Sequence, residues 1–329
     1  MATVIKAASI ASPEPGHTSG LPGRLAGRAA QDCLATAGLS PDAVGVLVNV
    51  GVYRESNMFE PAIGALVQKR AGINLDYLAR PVPGAGFSFD LMNGACGVLN
   101  AVQVAQALLT TGSTERVLIT AADVHPSGRG AQHTDYPYED LGAALLLERS
   151  AEPGAGFGPV RLRNADGGSG AAGYLDTAAM GLHGRQQITV SRDTGWEERL
   201  LDLSAGLVTE YARAEQLDLT RVRLVCSRPT ADFVSRLAGR LGLDPSQAGG
   251  HPQVPGDARG GAAQGGDAQP HTAAPVLGYL QAGAHPHEHL LFVTAGAGLS
   301  AACAIYRPPA PEPAVPAPAL AAASATQGR

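Results

Sequence analysis

Cysteine is scarce in this chain and scattered. The four thiols stand at positions 33, 96, 226 and 303 with no CxxC pair among them, which excludes a disulfide framework and a zinc ribbon and leaves each thiol to be read singly, in a reducing cytoplasm. Charge is sparse too. Asp, Glu, Lys and Arg make up 16% of the residues and the net charge is −5, so the clustered basic excess of a nucleic-acid binder is missing. No apolar run approaches the roughly 18 uninterrupted residues that a membrane span requires. Met1 to Pro13 hold one lysine and no sustained apolar core, and no secretory signal is expected there.

What remains is a long, apolar chain. With 329 residues, 45% of them apolar, it can bury a sizeable core in two ordinary domains or one large duplicated one, and disorder is excluded for most of its length. The runs Val44–Val50 (VGVLVNV) and Arg116–Thr120 (RVLIT) suit buried parallel strands, and Gly142–Glu148 (GAALLLE) a further buried strand. Gly23–Ala37 and Cys96–Thr110 carry apolar residues at helical spacing. The second half echoes the first. Helices are predicted over Trp196–Gln216, Pro229–Leu241 and Ala273–Ala282, with strands over Val222–Cys226, His289–Thr294 and Leu299–Tyr306. Two such series predict duplicated α/β halves. Gly249–Gly266 reads as a mobile loop, and the Pro/Ala-rich Pro308–Arg329 as a disordered tail.

The sharpest local feature is Phe87–Leu99, FSFDLMNGACGVL. A strand-like FSFDL runs through Asn93-Gly94-Ala95 into Cys96, which opens a long buried helix. A thiol there meets the positive end of the helix dipole, which is expected to lower its pKa, and the amides of that helix end are candidates to hold an oxyanion. Cys33, Cys226 and Cys303 fall inside a helix or on strands and read as small core residues.

The stretch FSFDLMNGACGVLNAVQVAQALLTTGSTERVLITAADV resembles the nucleophile segment of the ketoacyl synthase III enzymes of the thiolase superfamily, whose strand–helix elbow carries an acyl-accepting cysteine. GAALLLE is similar to that family's DGAGAVVL strand, RLAGRLGL to the helix after its first active-site histidine, and AGAGLSAA to its terminal Gly-rich hairpin. The landmarks run in the family's order from about residue 40 to 306. The resemblance implies an α/β, five-layered thiolase fold of two pseudo-repeated halves, residues 1–155 and 156–307, with 308–329 as a tail, working as a homodimer.

It also implies a site. Cys96 matches the nucleophile, and Gly296-Ala297-Gly298 the loop that completes the oxyanion hole. Two positions depart. The histidine of the family's HQAN motif falls on Ser227, and the asparagine of its GNTSAA motif falls on His271, followed by Thr272. Decarboxylative condensation leans on two neutral donors at an enolate oxygen, whereas one histidine beside a cysteine suffices to make an acyl-thioester and deprotonate an incoming hydroxyl, amine or thiol. The expected activity is therefore acyl transfer from an acyl-CoA or acyl carrier protein to an acceptor, in secondary-metabolite biosynthesis from polyketide or fatty-acid precursors. A second reading is carbon–carbon condensation. Val46–Gln68 resembles the segment LVNTSVSRDYLEPSTASIV of thiolase-like enzymes that join two fatty-acyl chains, and Glu60 matches a glutamate that there reaches across the dimer as a base. Beside Pro61, Glu60 equally suits a helix N-terminal charge without chemistry. A third reading is a non-catalytic partner of a ketosynthase.

Other features carry less. His285, His287 and His289 have ligand-like spacing but no cysteine or carboxylate cluster near them, and no metal is expected. His125 and His133 flank the Gly-containing Ser127–Ala131 and read as surface residues. Asp166–Gly173 lacks a strand–GxGxxG–helix context, so no nicotinamide or flavin is implied. Coenzyme A or phosphopantetheine enters only as the carrier of the substrate. Arg24, Arg28, Lys69 and Arg70 are scattered and read as solvated surface.

Overall fold

The computed structural model describes residues 2–14, 22–54, 60–73, 86–125, 138–166, 171–174, 177–178, 189–248, 269–283, 289–296 and 298–310. In chain order these form β1 (Ala2–Ala11), α1 (Pro22–Ala37), β2 (Val46–Asn49), α2 (Ile63–Ala71), β3 (Phe87–Asp90), α3 (Gly97–Thr110), β4 (Arg116–Asp123) and β5 (Leu141–Ser150). They continue with β6 (Gly156–Phe157), β7 (Arg161–Asn164), β8 (Ala171–Tyr174), β9 (Thr189–Arg192), α4 (Trp196–Ala214), β10 (Val222–Cys226), α5 (Phe233–Leu241), α6 (Ala274–Ala282), β11 (His289–Gly296) and β12 (Ser300–Arg307).

Two five-stranded sheets result. The first has the order β1-β5-β4-β2-β3, and the second runs β10-β11-β12-β6 with β7 also paired to β12. β8 and β9 make a separate hairpin. The halves repeat one motif. β2 lies parallel to β4 as β10 lies parallel to β11, and β4 and β11 are each followed by an antiparallel neighbour, β5 and β12.

Burial sorts the helices into layers. α1 and α2 cover the outer face of the first sheet through Leu25, Ala29, Cys33 and Val67 against Leu47, Leu118 and Leu146. α4 and α5 cover the outer face of the second through Leu207, Val208, Phe233 and Leu237 against Leu224, Leu291 and Val293. Between the sheets lie α3 and α6, with Val98, Val102, Val276 and Leu277 packed against Val48, Ile119, Val225 and Phe292. α3 buries Val98, Leu99, Ala101, Val102, Ala105 and Leu109 between the sheets and exposes only the stripe Gln103, Ala107 and Thr110, which is why VLNAVQVAQALL is apolar over most of its circumference. The fold is thus five-layered α/β, as expected. The described helices include none long and apolar enough to cross a membrane.

Several boundaries differ from expectation. Cys96 lies outside α3, in a 3₁₀ turn, Gly94–Cys96, that precedes it. The helix predicted from Pro229 begins only at Phe233, because Thr230 and Asp232 bond to each other (2.8 Å) in a turn ahead of it. β1 was not anticipated. Its small residues and a bulge between Ile5 and Ala7 hide the period-two signal, and it is fixed by pairing with β5. Gly249–Gly266, the tail beyond Ala310, His133, His285, His287 and residues 127–131 lie outside the described residues.

Candidate active site

Cys96 is buried at the junction between the 3₁₀ turn and α3. Its Sγ–H donates to the carbonyl of Thr294 on β11, 3.7 Å away. The backbone of β11 comes very close here, since a Cβ on Gly296 would stand 2.7 Å from Cβ of Ala95. Only glycine allows β11 to lie against the turn that bears the nucleophile. The expectation that the helix end lowers the thiol pKa is overturned. Burial pushes Cys96 up to about 11, against a smaller opposing effect of the Thr294 hydrogen bond, because desolvating a thiolate outweighs a partial dipole charge. The thiol therefore rests protonated. Cys33, Cys226 and Cys303 are pushed by burial to about 12 and stand in the outer core layers.

The His271 ring is oriented by a residue not singled out in the sequence. Asp123, buried at the end of β4, accepts the Nδ1 proton of His271 at 3.1 Å. The same oxygen accepts from the Thr272 amide (3.0 Å) and hydroxyl (2.5 Å). The other carboxylate oxygen accepts from the amides of Val52 (2.8 Å) and Tyr53 (2.7 Å). Burial alone would raise this carboxyl, but the neighbouring His271 and the donated hydrogen bonds outweigh it and hold Asp123 at about 2. A carboxylate can only accept, so Nδ1 of His271 carries a proton and, in the neutral ring, Nε2 presents a lone pair.

That Nε2 is buried without a partner. It faces the nucleophile's turn, since a Cβ on Gly94 would stand 3.9 Å from it. The ring is stacked on Tyr138, with centroids 4.1 Å apart and planes at 26°, and Tyr53 closes a second side at 5.4 Å. Cys96 and His271 occupy equivalent places in the repeat, each just before a helix of the central layer, and this sets the His271 ring beside Gly94 in the turn that ends at Cys96.

The remaining expected residues fall elsewhere. Ser227 is buried, and its hydroxyl donates to the Ala295 carbonyl (3.0 Å) and accepts from the Ala295 amide (2.7 Å), so its one proton is engaged in holding β11. Thr272, expected against substrate, directs both donors to Asp123 instead. Glu60 is exposed ahead of α2 and outside the buried Cys96–His271–Asp123 group. The cap of α2 is Asp90, which accepts from the Ile63 (2.9 Å) and Gly64 (2.8 Å) amides and from Asn49 (2.8 Å). Gly296 packs on Ala95, Gly298 is an exposed turn residue at φ +75°, and Ala297 lies outside the described residues. The Cys96 amide, expected in an oxyanion hole, donates to Asn93 O at 3.1 Å. His125 is buried, not at the surface, its amide bonded to Asp140 (2.8 Å). The described residues hold no group of metal-ligating side chains. A cavity of about 100 Å³ between β10 and α6 is lined by Arg223, Cys226, Arg228, Leu277 and Gln281, and none of Cys96, Asp123 and His271 lines it.

Comparison with solved structures gives 94% coverage of this chain and 99% of 3-oxoacyl-(acyl carrier protein) synthase III from Pseudomonas aeruginosa PAO1, at 17% identity and a TM-score of 0.72. The fold is that of the ketoacyl synthase III enzymes. Residues 89–167, which include Cys96 and Asp123, match the family described as 3-oxoacyl-[acyl-carrier-protein (ACP)] synthase III. A ketoacyl synthase III of Pasteurella multocida (strain Pm70) is 27% identical over 225 residues, a stretch that spans 67% of this chain and 65% of that relative's length. The same ketoacyl synthase III fold relates the chain to the priming β-ketosynthase of the R1128 polyketide biosynthetic pathway, at 18% identity, a TM-score of 0.67 and coverage of 94% and 97%.

Proposed function

We propose that this ketoacyl synthase III-like chain is an acyltransferase, which takes an acyl group from acyl-CoA or an acyl carrier protein onto Cys96 and passes it to a hydroxyl, amine or thiol acceptor in secondary-metabolite biosynthesis. The observation that carries this reading is the Asp123–His271 pair. It turns Nε2 of His271 into a proton acceptor beside the turn that bears the thiol, the arrangement of a nucleophile, a base and an orienting carboxylate.

The steps follow from these atoms. The Cys96 proton moves to Nε2 as Sγ attacks the thioester carbonyl, forming the new C–S bond. Collapse of the tetrahedral intermediate breaks the carrier's C–S bond, and the imidazolium returns its proton to the departing thiol. The acceptor then gives its proton to Nε2 and attacks the acyl-enzyme, the acyl–Sγ bond breaks, and the imidazolium returns that proton to Sγ of Cys96. The carboxylate of Asp123 supports the imidazolium in both halves. Condensation with malonyl decarboxylation is disfavoured by the same geometry. It needs two neutral donors at one enolate oxygen, whereas the proton of Ser227 is engaged with Ala295 and that of neutral His271 with Asp123.

Intact-protein mass spectrometry with a panel of acyl-CoA and acyl carrier protein thioesters, and with malonyl-CoA, tests the reading. The wild type is expected to gain an acyl adduct that Cys96→Ala lacks, His271→Ala to lose turnover, and malonyl-CoA to release carbon dioxide slowly or not at all. Rapid carbon dioxide release without an acceptor would replace acyl transfer by condensation. Absence of any adduct would leave a partner subunit. A homodimer is part of the proposal. Phe87 and Met92, 54% and 47% exposed, lie on and just beyond the edge strand β3, which suits pairing with a second copy.

A further inference from the structure

Thr294 carries a buried hydroxyl whose Oγ1 has no hydrogen-bond partner. An orphan donor in a dry interior costs about 1–3 kcal/mol and calls for an explanation. Its place supplies one. Along β11, Leu290 and Phe292 face the central helical layer while Leu291, Val293 and Ala295 face the outer one. Alternation puts Thr294 and Gly296 on the central face, and Gly296 abuts Ala95 in the nucleophile's turn. The Thr294 side chain therefore enters the layer that holds Cys96, whose Sγ–H bonds to the carbonyl of this same threonine. Two orphan polar atoms thus belong to residues that meet one three-residue turn: Nε2 of His271, beside Gly94, and Oγ1 of Thr294, the residue whose carbonyl takes the Cys96 Sγ–H bond.

Two amides at the end of the turn are engaged. Cys96 N–H donates to Asn93 O, and Gly97 N–H to Gly94 O. We propose that the Thr294 hydroxyl is a catalytic donor to the acyl oxygen, a role that rests on the acyl-transfer reading of Cys96. As Sγ adds to the thioester carbon, the carbonyl π pair moves onto oxygen. The Oγ1–H bond strengthens to that oxygen without transferring its proton, and the pair returns when the carrier's C–S bond breaks. The threonine is left unchanged, and its unmet hydroxyl in the free protein is the preorganisation that such a donor requires.

The test compares full-length wild type, Thr294→Val and Thr294→Ser for the initial rate of acyl-adduct formation with acyl-CoA, followed by intact mass, and for melting temperature. Valine keeps the shape and removes only the hydroxyl. It is expected to slow acylation about 100-fold while raising the melting temperature by about 2–4 °C, since an unpaired buried group is lost. Serine is expected to stay within about threefold of wild type, tenfold being 1.36 kcal/mol of barrier. Wild-type acylation by the valine variant would make Thr294 a packing residue and overturn the inference. A serine variant as slow as valine, or a lower melting temperature for valine, would do the same. Failure of the wild type to form any adduct would instead bring down the acyl-transfer reading, and this inference with it.

Discussion

Nδ1 of His271 lies 3.1 Å from Oδ2 of Asp123, across 148 residues of chain. This pair joins the end of β4 in the first half to the approach of α6 in the second, so the His271 ring is oriented by one half of the repeat and borne by the other. Asp123→Asn keeps the shape but replaces an accepting oxygen by a donor, which meets the His271 and Thr272 donors head on. Turnover is expected to fall by about 10³–10⁴-fold, measured as acyl transfer per folded molecule.

The same carboxylate sets an acid limit on stability. Its pKa is lowered from 3.8 to about 2 in the folded chain, so the unfolded state binds the proton more readily. The stabilisation is full above about pH 4 and is lost as pH falls towards 2, on the order of 2 kcal/mol in all. Denaturant midpoints followed from pH 6 down to 2 should show the loss in the wild type and a flatter profile in Asp123→Asn. Equal slopes would detach Asp123 from acid unfolding.

Cys96 should behave as a sluggish nucleophile until substrate and base act together. With the thiol pushed up to about 11, its thiolate fraction climbs about tenfold per pH unit through pH 7 to 10, whereas an ordinary exposed cysteine levels off near pH 8.5. Iodoacetamide labelling of Cys96, mapped by peptide mass, is expected to keep rising past pH 9. A plateau below pH 8 would show an activated thiolate in the resting protein.

Ser227 holds the strand and leaves the chemistry to its neighbours. Removal of its hydroxyl in Ser227→Ala strands the buried amide of Ala295, which should lower stability by about 1–3 kcal/mol while acyl transfer per folded molecule stays within about threefold, tenfold corresponding to 1.36 kcal/mol. Chemical denaturation and adduct kinetics on one preparation separate the two effects. A collapse of rate with unchanged stability would return Ser227 to the catalytic group.

Phe87→Arg tests the proposed pairing through β3. An edge strand with an exposed phenylalanine loses its attraction for a second copy when a charge replaces the ring. Sedimentation should report two chains for wild type and one for the variant. Glu60→Gln, on a surface separate from the buried group, should leave acyl transfer within about threefold if it is only a helix-terminal charge. Loss of product without loss of the Cys96 adduct would favour the condensing reading.

The layered α/β architecture was legible in the chain because it is written locally. Val46–Asn49 and Val222–Cys226 are short β-branched runs, and Gly97–Thr110 is apolar on all but a narrow stripe at Gln103, Ala107 and Thr110. Cys96 stood out as a cysteine at a strand-to-helix elbow, and His271 only through the resemblance, at the place of the asparagine in the family's GNTSAA motif. Tertiary structure alone decided the rest. Nothing in the sequence singled out Asp123, because its role depends on the fold bringing His271, Thr272, Val52 and Tyr53 around it. Ser227 and Thr272 had the right chemistry in the sequence, but the direction of a hydroxyl proton depends on which backbone lies beside it. The thiol's pKa was misjudged because burial is a property of the five packed layers, whereas a helix end can be read from a dozen residues.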